Sequence, residues 1–141
     1  MLYQGKPVAR IDREARMVIA ADGTSARYDK LIIATGSTPF IIPVPGHDLP
    51  GVITYRDLDD VERMVAAASG DGRRAVVIGG GLLGLEAAAG LAMRGMAVSV
   101  VHLMDTLMER QLDPAAGELL KNEFVRRGIR VLTGANTAEI Y

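Results

Sequence analysis

The stretch AVVIGGGLLGLEAAAGLAMRGMAVSVVH, residues 75–102, decides the fold. It opens on an apolar, largely β-branched run at residues 75–78 and breaks at three consecutive glycines. It then continues as an alanine-rich segment to Arg94, stops at Gly95 and resumes a β-prone run over residues 97–101. The change of periodicity predicts strand, turn, helix and strand in that order. Residues 75–93 are nineteen in a row with Glu86 as their one charge. Their five glycines and their division into a β-branched and an alanine-rich half still argue for a buried strand followed by a helix, against a membrane span.

Within the turn, Gly79, Gly81 and Gly84 stand as G-x-G-x-x-G. The first position serves a tight turn, the second close backbone approach to a pyrophosphate, and the third close packing of helix on strand. Amides around Leu82 and Leu83, at the positive end of the helix dipole, would face the phosphates. The pattern alone is weak, but its place inside a strand, turn, helix, strand unit points to dinucleotide binding. About 20 residues past the glycines, at the end of the second strand, such a unit reads the ribose, and His102 occupies that position. A neutral imidazole accepts one hydroxyl, a protonated one favours a 2′-phosphate, and a third reading makes His102 a strand cap. Preference between NAD and NADP is open at this point.

Downstream, Asp113 as cap and Pro114 in the first turn begin a helix. Its expected inner face is Leu119, Leu120 and Phe124, its stop is Gly128, and a strand follows at residues 129–132. The order β-α-β-α-β with short joints predicts a parallel sheet with right-handed crossovers. Upstream, Thr54 and Asp57 have the spacing of a capping box before a helix whose inner face is Leu58, Val61, Val65 and Ala68 and whose stop is Gly70. Before it, Pro39, Pro43, Pro45-Gly46 and Pro50-Gly51 mark a connector. Residues 31–34 are a continuous apolar run closed by Thr35-Gly36, expected as a strand covered on both faces. The first thirty residues read as an antiparallel meander of runs 7–11, 16–21 and 26–28, with Asp22-Gly23 as a turn. The expected class is therefore α/β: a Rossmann-like parallel sheet with flanking helices, plus a small antiparallel β-meander.

Composition removes other classes. With 49% hydrophobic and 23% charged residues the chain can bury a core. Sixteen basic and seventeen acidic residues give a net charge of -1, which supplies no footprint for nucleic acid or a membrane surface. Without cysteine there is no disulfide, thiolate metal site or redox dithiol in these residues. His47, in the proline-rich connector, reads as solvent-exposed, Met93, Met96, Met104 and Met108 as core fillers, and the charged run 123–130 as a wet helix face. No secretory signal pattern stands at the N-terminus, so the cytoplasm is the default location.

Two motifs in fixed order, YDKLIIATGSTP at residues 28–39 and VVIGGGLLGLE at residues 76–86, resemble the two-dinucleotide flavoproteins of the pyridine nucleotide-disulfide oxidoreductase type. The resemblance implies that the first motif is the strand returning to an FAD domain, with Thr35 and Gly36 against the flavin nucleotide, and that the second opens the NAD(P)H domain. It places Gly79, Gly81, Leu82, Leu83 and Gly84 on the pyrophosphate and Glu86 on the nicotinamide side. Glu86, flanked by Leu85 and residues 87–89, would be costly to bury unpaired, and its plainer reading is a solvent-facing helix residue. The phrases YRDLDDVE at 55–62, GGGLLGLEAA at 79–88 and LMERQLDPAAGELL at 107–120 are most similar to the large subunits of NAD(P)H-dependent nitrite reductases. Ferredoxin and rubredoxin reductases share the first frame, and a non-catalytic nucleotide-binding module is the reading from another class. His102 departs from the acid the family carries.

Two expectations concern what is missing. A full family member has an FAD-binding glycine motif of its own and a second flavin-contacting segment, so the resemblance makes this sequence a fragment. Residues 1–50 would be a partial FAD-domain segment and 51–141 an incomplete NAD(P)H domain, inactive by itself, with hydride passing from nicotinamide to flavin in the parent. The run 31–34 is further expected beside residues 75–78, completing one sheet as a circular permutant, either within the chain or by strand exchange in a homodimer.

Overall fold

The computed structural model describes residues 1–69 and 73–141, and the helix stop expected at Gly70 lies outside them. The chain divides into two compact units, Met1–Ser37 and Thr38–Tyr141.

In the first unit, β1 (Val8–Asp12), β2 (Met17–Ala20) and β3 (Ser25–Arg27) pair antiparallel in the order β1-β2-β3. Local hydrogen bonding sets the turns. Asp12 Oδ1 accepts the Ala15 N–H at 2.9 Å before Arg16 takes φ 51°. Asp22 Oδ1 accepts the Thr24 N–H at 3.0 Å while Gly23 takes φ 84°, the expected Asp-Gly turn. Pairing runs from Val8 with Ala20 to Asp12 with Met17, with a register shift between Val8 and Arg10. Among the described residues, Ala20 is the unit's one buried hydrophobic side chain.

Residues 31–34 correct the reading of a strand covered on both faces: they form no strand, and Ile32 and Ile33 are 86% and 68% exposed. A strand exists only where neighbours take up its N–H and C=O groups, and among the described residues no ladder is offered to this run. Among them, too, the strand at residues 75–78 pairs only with the one at residues 97–101.

The second unit begins with α1 (Leu58–Ala67). Its N-cap is Asp57, whose carboxylate accepts the Asp60 N–H at 2.9 Å, so the cap stands three residues later than a Thr54 start. Thr54 instead donates its hydroxyl to Asp60 at 2.9 Å. The shift turns Leu58 out to solvent, and Val61, Met64, Val65 and Ala68 form the inner face. Asp60 is buried and also accepts the Arg56 N–H at 2.8 Å and the Arg63 guanidinium. Burial pushes its carboxyl up, but Thr54, Arg56 and Arg63 outweigh that and hold it below the usual carboxylate range.

Then β4 (Arg74–Ile78), α2 (Leu82–Met93), β5 (Ala97–Val101), α3 (Pro114–Arg126) and β6 (Arg130–Leu132) follow, with the strands parallel in the order β4-β5-β6. Gly95 and Gly128, at φ 84° and 80°, end the helices as expected. Asp113 caps α3 by accepting the Ala116 N–H at 2.8 Å. One core lies between sheet and helices: Leu85, Ala88 and Leu91 of α2, Phe124 of α3, Val98 and Val100 of β5, with Ala68, Leu107 and Ile129. Ala75 and Val77 of β4 pack on that core, while Val76 and Ile78 are 65% and 42% exposed. The strand expected to be buried is thus covered on one face. Leu119, expected inside, is exposed because Gly117, Leu120 and Phe124 carry the inner face of α3. Met96 and Met108 pack against the core, whereas Met93 and Met104 are exposed. Among the described residues, no helix is long and apolar enough to cross a membrane.

Candidate functional site

At the C-terminal end of β4 the three glycines of the motif are distinguishable by geometry. Gly79 takes φ 121°, in the left-handed half of backbone space that side chains disfavour, and its N–H donates to the Val101 carbonyl at 2.8 Å. A Cβ on Gly84 would stand 2.1 Å from the Gly79 carbonyl oxygen, so the first turn of α2 rests directly on the turn before it. A Cβ on Gly81 would meet nothing within 4 Å, which makes this the open side of the turn. These are the three roles of the dinucleotide motif, namely turn, approach and packing.

Gly81 is also the N-cap of α2 and has no side chain to offer, whereas α1 and α3 are capped by the carboxylates of Asp57 and Asp113. The first helical bond of α2 runs from the Leu85 N–H to the Gly81 carbonyl at 3.0 Å. The N–H groups of Leu82, Leu83 and Gly84 precede it and have no intrahelical acceptor. An open turn with donors that no acceptor within the helix takes up, at its positive end, fits a pyrophosphate by shape and charge.

Behind the turn lies a support that the motif does not announce. The His102 ring, at 8% exposure, accepts the Gly80 N–H on Nδ1 at 3.0 Å and sits 3.1 Å through Nε2 from Glu109 Oε2. Since a backbone N–H can only donate, Nδ1 is the acceptor and Nε2 carries the proton given to Glu109. The Glu109 backbone N–H, followed by the His102 ring, holds the Glu109 carboxyl below its ordinary range. The Gly80 carbonyl accepts the Met108 N–H at 3.0 Å. A Cβ on Gly80 would lie 2.6 Å from Leu107 Cδ2 and 2.7 Å from the His102 ring. Gly80 fills a variable position of the G-x-G-x-x-G pattern, so the motif gives no reason to single it out, nor Leu107, Met108 or Glu109. A glycine at this variable position, making three in a row, is the one signal visible in the sequence.

Other residues of interest fall elsewhere. Glu86 is exposed, because one step along α2 turns it away from the buried Leu85 and Ala87, and the cost expected for an unpaired buried charge does not arise. With Tyr55, Met64 and Arg94 it lines a cleft of about 120 Å³ beside α1. Thr35 and Gly36 are exposed in the first unit, with Gly36 at φ 71°. His47 is exposed in the connector.

The sequence profile of the family described as pyridine nucleotide-disulphide oxidoreductase matches residues 1–141. Over 139 residues, 99% of this chain, the sequence is 51% identical to a nitrite reductase [NAD(P)H] of Bacillus subtilis and spans 17% of that protein. It is 49% identical to a nitrite reductase [NAD(P)H] large subunit of Klebsiella oxytoca, again over 99% of this chain and 14% of the relative. Among solved structures, the ferredoxin reductase for the CYP199A2 system of Rhodopseudomonas palustris superposes with a TM-score of 0.84 at 34% identity. That match covers 96% of this chain and 33% of that one. The chain therefore spans only a minor part of the relatives it matches.

Proposed function

Because this chain belongs to the pyridine nucleotide-disulphide oxidoreductase family, we propose that it is the NAD(P)H-binding portion of an FAD-dependent, cytoplasmic oxidoreductase, of the nitrite reductase large-subunit type. Residues 51–141 are read as an incomplete NAD(P)H domain and residues 1–50 as a segment of the FAD domain. The observation that carries the reading is the glycine turn, where Gly79, Gly81 and Gly84 supply three different geometries at the start of a helix without a side-chain cap. Identity of 51% and 49% to two nitrite reductases over nearly the whole chain supports the nitrite reductase type over a ferredoxin reductase, for which the structural likeness carries 34% identity.

When bound, a nicotinamide supplies a hydride to a flavin. The chain's own part is placement. Gly81, Leu82, Leu83 and Gly84 would hold the pyrophosphate on backbone N–H groups, and Gly79 shapes the turn that lets it approach. Glu86, on the exposed side of α2, is free to meet the nicotinamide end, and Thr35 with Gly36 would contact FAD. Calorimetric titration with NADH, NADPH and FAD tests the reading. Binding of a nicotinamide dinucleotide without FAD is expected, and absence of binding by either nicotinamide dinucleotide would overturn it in favour of a scaffold. Oxidation of NAD(P)H by nitrite in a longer protein carrying this chain distinguishes the nitrite reductase type from a ferredoxin-coupled one.

A further inference from the structure

We propose that His102 is a positioning residue of the dinucleotide site, holding the Gly80 amide from behind so that the Gly81 N–H faces the phosphates, and leaving the ribose end of β5 without an acid and open to both NADH and NADPH. The proposal rests on the dinucleotide-binding reading above and adds a division of labour to it.

Two hydrogen bonds fix the two peptide planes that meet at Gly80. The plane between Gly79 and Gly80 is held through the Gly80 N–H on His102 Nδ1. The plane between Gly80 and Gly81 is held through the Gly80 carbonyl on the Met108 N–H. Among the described residues every peptide bond is trans, and in a trans peptide the N–H points opposite to the carbonyl of the same plane. With the Gly80 carbonyl drawn toward Met108, the Gly81 N–H points the other way, to the side where a Cβ on Gly81 meets nothing. The orientation of a phosphate-facing donor is thus set by residues behind the turn.

Both ring nitrogens of His102 are engaged, so it has no free nitrogen for a ribose hydroxyl. The next two residues, Leu103 and Met104, are exposed and apolar, and Asp105, the first acid after them, stands beside Gly134. An acid at the ribose position accepts the 2′-hydroxyl and repels a 2′-phosphate. β5 itself offers the ribose no such acid, and the carboxylate nearest His102, that of Glu109, is engaged by the ring at 3.1 Å.

The test is calorimetric titration of the purified protein with NADH and NADPH in the wild type, His102→Ala and His102→Asn. Asparagine places an oxygen near the Nδ1 position and cannot take up a proton there. Nitrogen NMR of the ring is recorded in parallel. The wild type is expected to bind both cofactors within about tenfold of each other, a factor that corresponds to about 1.4 kcal/mol. The ring nitrogen signals are expected to show the proton on Nε2 and none on Nδ1. His102→Ala should weaken both about tenfold and in parallel, and His102→Asn should restore most of the affinity. Loss of NADH affinity alone would make His102 a ribose ligand and overturn the proposal, as would a proton found on Nδ1 at pH 8 or an Asn variant no better than Ala. A wild type that binds neither cofactor overturns the dinucleotide reading, whereas a wild type that binds both with His102→Ala unimpaired overturns only the positioning role.

Discussion

Two segments of this chain carry nearly the same local text and fold differently. Residues 31–36, LIIATG, and residues 76–81, VVIGGG, are both apolar β-prone runs closed by glycine. The second is strand β4 running into a turn and a helix; the first is irregular, with Ile32 and Ile33 exposed. The difference lies in what each can bond to. β4 has β5 alongside in parallel register from Arg74 with Ala97 to Ile78 with Val101, and its Ala75 and Val77 pack on the helical core. Residues 31–34 have no such ladder among the described residues. Even β4 shows the same dependence, since its covered face is ordered by the core and its other face leaves Val76 and Ile78 exposed.

The largest effect should come from testing that contrast at its most buried point. Leu107 is fully buried, touches the Gly80 position and belongs to the core of the second unit. Leu107→Ala should lower unfolding stability by about 2–5 kcal/mol, through lost transfer energy plus the cavity left behind. Ile33→Ala should stay within about 0.5 kcal/mol. Urea denaturation of both variants reads the difference directly. Comparable losses would mean that residues 31–34 have a buried partner after all, and the contrast would break.

Two glycines, one closing the first segment and one in the helix that follows the second, should separate next. Gly84→Ala puts a Cβ 2.1 Å from a backbone oxygen, which only a shift of α2 can relieve, so a loss of about 1–3 kcal/mol is expected. Dinucleotide binding should be lost with it. Gly36→Ala carries the penalty of its left-handed φ of 71°, about 1–2 kcal/mol. Thermal unfolding together with calorimetry separates the two, because only the first should abolish binding of NADH.

These contrasts also show what is legible in the sequence. Everything that local chemistry determines can be read there: the Asp22-Gly23 turn, the helix stops at Gly95 and Gly128, the Asp113 cap with Pro114, and the three-glycine turn between β4 and α2. The start of α1 cannot, because Thr54 and Asp57 are both acceptable caps and the choice turns on which register buries Asp60 with its partners. Leu58 and Leu119 look inward-facing in the sequence because hydrophobicity does not reveal which side of a helix the sheet lies on. At the candidate site, the glycines announce themselves through spacing. The bonds of His102 and Glu109 do not, because a contact from a ring to an amide 22 residues earlier leaves no periodic trace.

A smaller effect bears on why one unit tolerates irregular chain before its helix. Asp57→Ala removes the cap on the Asp60 N–H and should cost about 1 kcal/mol, read as a lower thermal midpoint. The same change at Asp113 should behave alike, since its carboxylate caps Ala116 in the same way at 2.8 Å. A Gly81→Asp change should do the reverse of both for binding. It would supply α2 with a cap of its own and place a negative charge where the phosphates are received, so NADH affinity should fall while the helix is held or strengthened. Unchanged affinity in that variant would show that the open start of α2 is not the anion site.

The smallest effect compares surface ion pairs in the two units. Glu123, near the end of α3, is held down to about 2 from 4.5, first by the Arg126 guanidinium and then by Arg127, against a modest upward push from burial. Its folded value lies below the unfolded one, so the folded state binds fewer protons between those limits. The stability it adds is complete above about pH 4.5 and is lost as pH falls toward 2. Asp22 of the meander, lowered chiefly by the Lys6 ammonium and then by the Thr24 N–H, follows the same sign, its contribution fading as pH drops through the carboxylate range. Both pairs are substantially exposed, so each effect should be small and should shrink further in high salt. Carboxyl NMR titration should find Glu123 still ionised at pH 3, and Glu123→Gln should flatten the acid limb of the thermal midpoint only slightly. If that limb instead collapsed, the last turn of α3 would depend on its own charge pairs more than on the packing of Phe124 and Leu120, and the distinction drawn between a unit with a core and a unit held by local turns would lose its basis.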